Sequence, residues 1–420
     1  MDDARHAYDD GTRRTEILQT AATLIASSGL RTSLQEIADA TGILPGSLYH
    51  HFESKEAILV ELIRRYHEDL DRIAEHAEQR LDDDSRPVSE RIIGLGSAIA
   101  ECAVRHSAAL QMSFYEGPSA NPELTELTRQ RPDAILEAML QILRAGKWSG
   151  YLRPEIDLPI LADRIVQTML QVGLEVMRHN APADRVAALL CRIILDGLAS
   201  KPPTDAELDS AAAFLAADEV IKSWTDDSDP DDKGAHVRAV ARTEFGRKGY
   251  EATTVRDIAS AAGLGTGTVY RLIGSKEELL TSIMESFGKK IAAGWTSVLR
   301  ADSTIVEKLD ALGWVNTNAL DQLGDEFRIQ LAWMRQSPPP EIADVAWMYT
   351  TRVKQMKTLL SQGIKSGEIR VDSPSSDMLA RCMIAIQWIP ESILRATDTR
   401  TAQIHVRDTV LRGVAERSAK

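Results

Sequence analysis

Residues 42–59 read GILPGSLYHHFESKEAIL and combine a tyrosine, two histidines and a lysine within a short stretch. Hydroxyl, imidazole and ammonium groups such as those of Tyr49, His51 and Lys55 can donate hydrogen bonds to phosphate oxygens. Ser54 is a typical helix N-cap, and the free amides at a helix N-terminus also attract anions. The stretch therefore has the chemistry of a phosphate-binding segment.

The sequence does not favour metal binding or catalysis. The pair His50–His51 is a poor metal site, because neighbouring helical residues point in different directions and no third ligand follows at a useful spacing. The chain contains no GxSxG, HExxH or Walker motif, and the glycines of GLGTGT (263–268) follow a predicted helix rather than a strand. We therefore predict no catalytic residue, no metal, no cofactor and no enzymatic activity.

The whole chain has the composition of a globular protein with two or three domains. It has 420 residues, 44% of them hydrophobic and 26% charged, with a net charge of −13. No 18-residue apolar run and no apolar signal core occur, so we expect a cytoplasmic protein. Cys102, Cys191 and Cys382 are odd in number and widely spaced, which favours buried thiols over disulfides.

The chain repeats itself. Residues 253–280 align with residues 32–59 without gaps, and 11 of the 28 positions are identical. The similarity continues through SGYLRPE (149–155) and SGEIRVD (366–372), and through IILDGLA (193–199) and TVLRGVA (409–415). Each copy is far longer than a solenoid unit, so the pattern indicates duplication of a complete domain.

Each copy is predicted to be helical. Ser33 with Glu36, and Thr254 with Asp257, have the spacing of a capping box at a helix start. Gly42 follows the first of these helices and Gly263 the second, and a short amphipathic helix comes next in both copies. A helix, a glycine turn and a second helix form a helix-turn-helix, whose second helix enters the DNA major groove.

The distribution of charged residues along the chain agrees with two DNA-binding segments. Residues 12–59 contain four Lys/Arg and five Asp/Glu, whereas residues 233–280 contain eight and five. Residues 201–232 contain two and ten. The acidic residues are therefore concentrated between the repeats, away from the segments that would contact DNA.

The stretch TSLQEIADATGILPGSLYHHFESKEAIL (32–59) resembles the DNA-binding signature of the tetracycline-repressor (TetR) family of bacterial regulators. The second copy is similar to it as well. The resemblance implies an all-α fold of two tandem TetR-like units, each a helix-turn-helix followed by a helical effector and dimerisation domain. The implied division is 1–11 flexible arm, 12–59 first DNA-binding domain, 60–200 first effector domain, 201–232 linker with a helix and an acidic stretch, 233–280 second DNA-binding domain and 281–420 second effector domain.

The resemblance also implies roles for single residues. Those expected to contact DNA are Ser33, Leu44, Pro45, Gly46, Ser47, Tyr49, His50, His51 and Lys55 in the first copy, and Thr254, Gly265, Thr266, Gly267, Thr268, Tyr270, Arg271 and Lys276 in the second. Tyr49, His51, Lys55, Tyr270 and Lys276 would hold the phosphate backbone, while the residues on the exposed helix faces would meet bases. The second copy departs from the family at Leu272 and Ile273, where a phosphate-binding His and an aromatic residue are usual.

A ligand pocket is less clearly indicated. Five of the seven Trp residues lie in the second effector region, and a polar stripe runs along the helix predicted over residues 165–179. These side chains could line a pocket, but Trp residues also fill cores and polar stripes also face solvent. The candidate ligand-binding residues are Gln167, Gln171, Glu175, Trp333, Trp347 and Trp388.

We predict a ligand-responsive transcriptional repressor that binds double-stranded operator DNA and is released from it by a small hydrophobic effector. The alternatives are an activator using the same DNA-binding surface and a helical ligand-binding or scaffold protein without DNA binding. Because one chain carries both helix-turn-helix units, we expect a pseudo-dimer packed through helices such as 183–199 and 377–395, on an operator with non-identical half-sites. A helix over 204–224, capped by Thr204, would connect the copies; a homodimer is the alternative assembly.

Overall fold

The computed structural model describes residues 2–30, 32–81, 86–113, 121–179, 181–226, 232–250, 252–335, 344–373 and 375–417. Throughout these residues the regular structure is helical, apart from two isolated antiparallel bridges, and the predicted all-α fold class is confirmed. No described helix is long and apolar enough to cross a membrane.

The first half and the connection contain helices α1 (Asp2–Ser28), α2 (Leu34–Thr41), α3 (Pro45–His51), α4 (Lys55–Glu78), α5 (Val88–Arg105), α6 (Ser107–Ser113), α7 (Pro122–Arg129), α8 (Asp133–Trp148), α9 (Leu158–His179), α10 (Ala183–Asp196), α11 (Asp205–Ser210) and α12 (Ala212–Lys222). The second half contains α13 (Lys233–Lys248), α14 (Val255–Ala261), α15 (Thr266–Ile273), α16 (Lys276–Arg300), α17 (Ile305–Gln322), α18 (Gly324–Arg335), α19 (Asp344–Ser366), α20 (Ser376–Ile386), α21 (Glu391–Ala396) and α22 (Thr399–Val406), followed by a π-helical turn at Arg407–Arg412.

Helix α1 begins at Asp2, so it includes most of the segment 1–11 that was expected to form a flexible arm.

The three-helix units at the start of each half have equivalent cores. Ile17, Ile37 and Leu48 are fully buried in the first unit. Val237, Ile258 and Val269, at the matching positions of the second, are buried to the same degree, as the helical spacing of these apolar residues requires.

The segment that connects the halves, with helices α11 and α12, packs against the second half. Helix α12 packs on α16 and α17, with Ala213 and Ala217 fully buried and the Phe214 ring stacked on Trp314 at 5.3 Å. The Oγ of Ser297 donates to the carbonyl of Ala216 at 3.2 Å. The connection is therefore part of the second hydrophobic core.

The predicted single helix over 204–224 is wrong, although its Thr204 cap is present. The chain bends at Ala211, where ψ is 139°, and continues as α12 and a 3₁₀ turn over Ser223–Asp226. The bend lets Leu208 and Ala213 both be fully buried, and the amide of Ala213 donates to Ser303 Oγ at 3.0 Å. Tertiary packing here overrides the helical propensity of an Ala-rich segment.

The two halves contact each other reciprocally through their C-terminal segments. The amide of Leu198 donates to the carbonyl of Val410 at 2.9 Å, and the amide of Val414 donates to the carbonyl of Ile194 at 3.0 Å. The bridges Leu152–Ala415 and Ala199–Ile369 show the same exchange. The repeat segments 149–155, 193–199, 366–372 and 409–415 thus each pair with the opposite half.

Two glycines allow this crossing. Gly197 and Gly413 have φ of 68° and 78° and lie against each other's backbone. A Cβ on Gly197 would lie 2.3 Å from the amide nitrogen of Gly413, and a Cβ on Gly413 would lie 2.4 Å from the carbonyl carbon of Asp196. Only glycine fits such an approach, which explains why both copies carry it.

Candidate functional site

The turn of each helix-turn-helix forms as the sequence predicts. Gly42 and Gly263 have φ of 67° and 65°, a left-handed conformation that glycine adopts without strain. The capping boxes of Ser33 with Glu36 and Thr254 with Asp257 start the preceding helices. These glycine turns and capping boxes set the position of α3 and α15, the two candidate recognition helices.

The capping hydroxyls are occupied within the protein. Ser33 Oγ donates to Glu36 at 2.8 Å, and Thr254 Oγ1 donates to Asp257 at 2.6 Å. The backbone amide of Ser33 lowers the pKa of Glu36, and the hydroxyl of Thr254 lowers the pKa of Asp257. Ser33 and Thr254 therefore hold the helix starts, whether or not they also contact phosphate.

The faces expected to meet bases lie at the surface. Leu44, at the N-cap of α3, is 79% exposed. The other predicted residues are also accessible, either exposed or half-buried, namely Pro45, Gly46, Ser47 and His50 in the first copy and Gly265, Thr266, Gly267, Thr268 and Arg271 in the second.

The two tyrosines are placed alike. Tyr49 is 54% exposed and Tyr270 is 51% exposed, each one residue after a fully buried aliphatic side chain, Leu48 or Val269. The buried neighbour anchors the helix, so the tyrosine is presented on the outer side. This geometry is compatible with a hydroxyl that reaches the DNA backbone.

The two lysines have internal contacts in addition to any role toward DNA. Lys55 Nζ donates to the carbonyl of Leu30, and its pKa is lowered, mainly by burial. Lys276 Nζ lies 4.1 Å from the ring centroid of Tyr250, a cation–π contact. Both lysines therefore tie the start of the long helix to the loop before the helix-turn-helix.

The ends of the recognition helices differ. After α3, Phe52 is buried under the guanidinium of Arg14, which lies 4.2 Å from the ring centroid, and Arg14 also donates to the carbonyl of His51. After α15, Gly274 adopts φ of 71°, and Leu272 is 38% exposed at the position of His51. The second copy thus presents an apolar side chain where the first presents an imidazole.

The first helix of each DNA-binding unit packs on a helix of its effector domain, α6 or α18. In the first half α1 packs on α6, and Gln111 Nε2 donates to the carbonyl of Ala26 at 3.3 Å. In the second half α13 packs on α18, where Arg242 pairs with Glu326 at 3.2 Å and Thr243 donates to Asp325 at 3.1 Å. The contact between α13 and α18 therefore includes an ion pair, whereas Gln111 donates its hydrogen bond to a backbone carbonyl.

A cavity of about 340 Å³ lies between the halves, enclosed by α9 and α10 on one side and α20 on the other. Val172, Leu190 and Met378 supply apolar wall, while Arg185 and Arg381 supply guanidinium groups. Its volume is in the range of small-molecule sites.

The predicted ligand residues are divided by this geometry. Gln171 lines the cavity, whereas Gln167 lies outside the lining and Trp388 stacks on Phe327 at 4.3 Å. The side chains of Glu175, Trp333 and Trp347 lie outside the described residues. Sequence reasoning missed Arg185, Met378 and Arg381, because residues two hundred positions apart give no local signal that they share a wall.

The family model described as "Bacterial regulatory proteins, tetR family" matches residues 17–62 and 237–283, the two helix-turn-helix regions. The chain is 37% identical over 193 residues to the HTH-type transcriptional repressor KstR2 of Rhodococcus jostii, which covers 45% of this chain and 92% of that protein. KstR2 of Mycobacterium tuberculosis is 32% identical over 200 residues, or 46% of this chain and 96% of that protein.

This chain belongs to the TetR family of bacterial regulatory proteins and is a DNA-binding transcriptional regulator with two family units in tandem. Each of these relatives is matched over more than nine tenths of its own length but over less than half of this chain, as expected when the family unit occurs twice. A solved structure of the ketosteroid transcriptional regulator KstR2 of Mycobacterium tuberculosis aligns with a TM-score of 0.38 and 22% identity, over 44% of this chain and 97% of that one.

Proposed function

We propose that the chain is a repressor that binds one operator with both helix-turn-helix units. It dissociates from the operator when a small apolar effector occupies the cavity between its halves. The relatives named as transcriptional repressors support the sign of regulation. The observation that carries the proposal is the presence, in one chain, of two recognition helices with matching exposed tyrosines.

The reciprocal contacts support a pseudo-dimer formed by one chain. Leu198 and Val414 exchange backbone hydrogen bonds with the opposite half, and α10 packs on α20. In an isologous interface each contact appears twice with the partners exchanged, and this arrangement has that property within a single chain. Two chains on one operator is the alternative assembly.

The exposed residues favour an operator with non-identical half-sites. Arg271 lies where the first copy has His50, and arginine is the commonest side-chain partner of guanine. We therefore place the guanine-richer half-site under the second copy. A perfect palindrome in a footprint would contradict this part of the proposal.

The test measures fluorescence anisotropy of labelled DNA from upstream of the chain's own gene. Tyr49→Ala and Tyr270→Ala should each weaken binding about tenfold, for operator and unrelated DNA alike, because a lost hydrogen bond to a charged phosphate costs about 1.5 kcal/mol or more. Trp148→Ala is the control, since this exposed tryptophan lies at the end of α8, outside both DNA-binding units.

Three outcomes separate the alternatives. Unaltered binding in both tyrosine variants would contradict the assigned surface, and absence of any DNA binding by the wild-type chain would favour the helical scaffold. A reporter gene that is expressed less when the chain is deleted would indicate an activator. Mass photometry of the complex with a short operator should show one chain per DNA, whereas two chains would favour the homodimer.

A further inference from the structure

The contact between the halves has two equivalent sides. Helix α9 aligns with α20 and α21 at a constant offset of 217 residues, so Gln171 corresponds to Trp388 and Arg164 to Arg381. Helix α10 aligns with α22 and the π-helical turn at an offset of 216, so Leu190 corresponds to Val406. The cavity bounded by Gln171 and Arg381 therefore has a counterpart position near Trp388 and Arg164.

Large buried or partly buried side chains lie at that counterpart position. The Trp388 indole stacks on Phe327 at 4.3 Å, and Ile389 and Val406 are buried. The Arg164 side chain is fully buried and donates to the carbonyls of Ile386 and Trp388. A large indole and a buried guanidinium thus stand at the positions equivalent to Gln171 and Arg381, which line the cavity on the other side.

Pro390 explains the difference. Proline cannot continue a helix, and α20 ends at Ile386, which leaves carbonyls that Arg164 can bind. In the first half this position is Gly173, and α9 continues to His179. With no helix end to bind there, Arg381 donates to Asp377 of its own helix at 2.8 Å and lines the cavity.

We infer that the chain binds one effector molecule, at the open side only, although it contains two effector domains. The effector would be an apolar molecule with a single acidic group, because the lining is mainly apolar and its charged members are Arg185, Arg381 and Asp377, an excess of one positive charge. The use of this site for regulation rests on the proposed function; the number of sites does not.

The probe is 8-anilinonaphthalene-1-sulfonate, which combines aromatic rings with one sulfonate. Titration of the full chain, followed by dye fluorescence, should give one site per chain. Gln171→Trp, which copies the residue at the counterpart position, should abolish that site, and Val186→Trp should do the same from α10. Arg185→Gln should weaken dye binding about tenfold through loss of a charge-assisted contact.

Gln167→Trp is the matched control, because it adds the same ring one turn earlier on α9, outside the lining, and should leave dye binding unchanged. Circular dichroism verifies that each variant is folded. Two equal dye sites in the wild-type chain, or full binding in both folded cavity-filling variants, would overturn the inference.

DNA affinity measured at saturating dye separates the two proposals. One dye site per chain with unchanged DNA affinity would leave the single site standing and count against its proposed regulatory role. Two dye sites that both release DNA would overturn the single site and leave the proposed function intact.

Discussion

The two halves share one helical architecture, but different side-chain interactions stabilise it in each half. In the first half, α1 meets α6 through the hydrogen bond from Gln111 to a backbone carbonyl, whereas in the second half Arg242 and Thr243 of α13 meet two carboxylates of α18. Duplicated architecture therefore does not require duplicated contacts, because helix packing tolerates several ways of satisfying polar groups.

The same contrast appears inside the effector domains. Cys191 of α10 is buried beside Met169, with the two sulfur atoms 3.9 Å apart. Its counterpart in the second half is Arg407, fully buried and 2.9 Å from Asp310. Arg407 also donates to Asp205 and Asp209 of α11, so this ionic cluster joins the connection to the second core.

The largest effect should come from breaking that cluster. Arg407→Ala leaves Asp310 buried without its cation, which costs about 3–5 kcal/mol of unfolding free energy. The comparison variant Cys191→Ala removes one apolar atom from the first half and should cost about 1 kcal/mol. Denaturant unfolding monitored by circular dichroism measures both, and equal losses would contradict the contrast between an ionic and an apolar core.

The next effect concerns base preference. His50→Arg gives the first recognition helix the side chain of the second, and should raise its preference for guanine by about 1–3 kcal/mol per base pair. Arg271→His should lower the preference under the second helix by a similar amount. Competition binding with systematically varied half-sites tests both, and unchanged preference with reduced affinity would show that these residues contact backbone instead.

A smaller effect is expected at the end of α15. Leu272→His restores an imidazole where the first copy has His51, and should tighten DNA binding by about 1 kcal/mol through one added hydrogen bond to phosphate. Leu215→His is the control, since Leu215 is an exposed leucine on α12, outside both helix-turn-helix units. Anisotropy at fixed salt would contradict the prediction if the two variants bind alike.

The pH dependence at the second contact should be the smallest effect. Burial raises the pKa of Glu326 above its usual 4.5, although Arg242 opposes this. A raised folded-state pKa contributes stability that is present below pH 4.5 and lost as pH rises through the folded value. The wild-type chain should therefore lose stability relative to Glu326→Gln as pH rises, and denaturant unfolding of both proteins at a series of pH values measures this difference.

The helix-turn-helix units could be predicted because their determinants are local. Ser33 with Glu36, and the glycine that follows each helix, lie within a few residues of what they organise. The cavity could not be predicted in this way, because it forms where α9 and α10 meet α20, helices that lie about two hundred residues apart in the sequence. The bend at Ala211 was missed for a similar reason, since only burial against α16 and α17 favours it over a straight helix.

The glycine crossing has a consequence for how such a chain can change over time. In an assembly of two identical subunits every substitution appears twice, so the two recognition surfaces cannot diverge. A fused chain removes that restriction for Tyr49, His50 and their counterparts. It does not remove it for Gly197 and Gly413, because a side chain on either one would collide with the backbone of the other half. The two DNA-binding surfaces are therefore free to evolve separately, while the crossing that joins them must evolve as a pair.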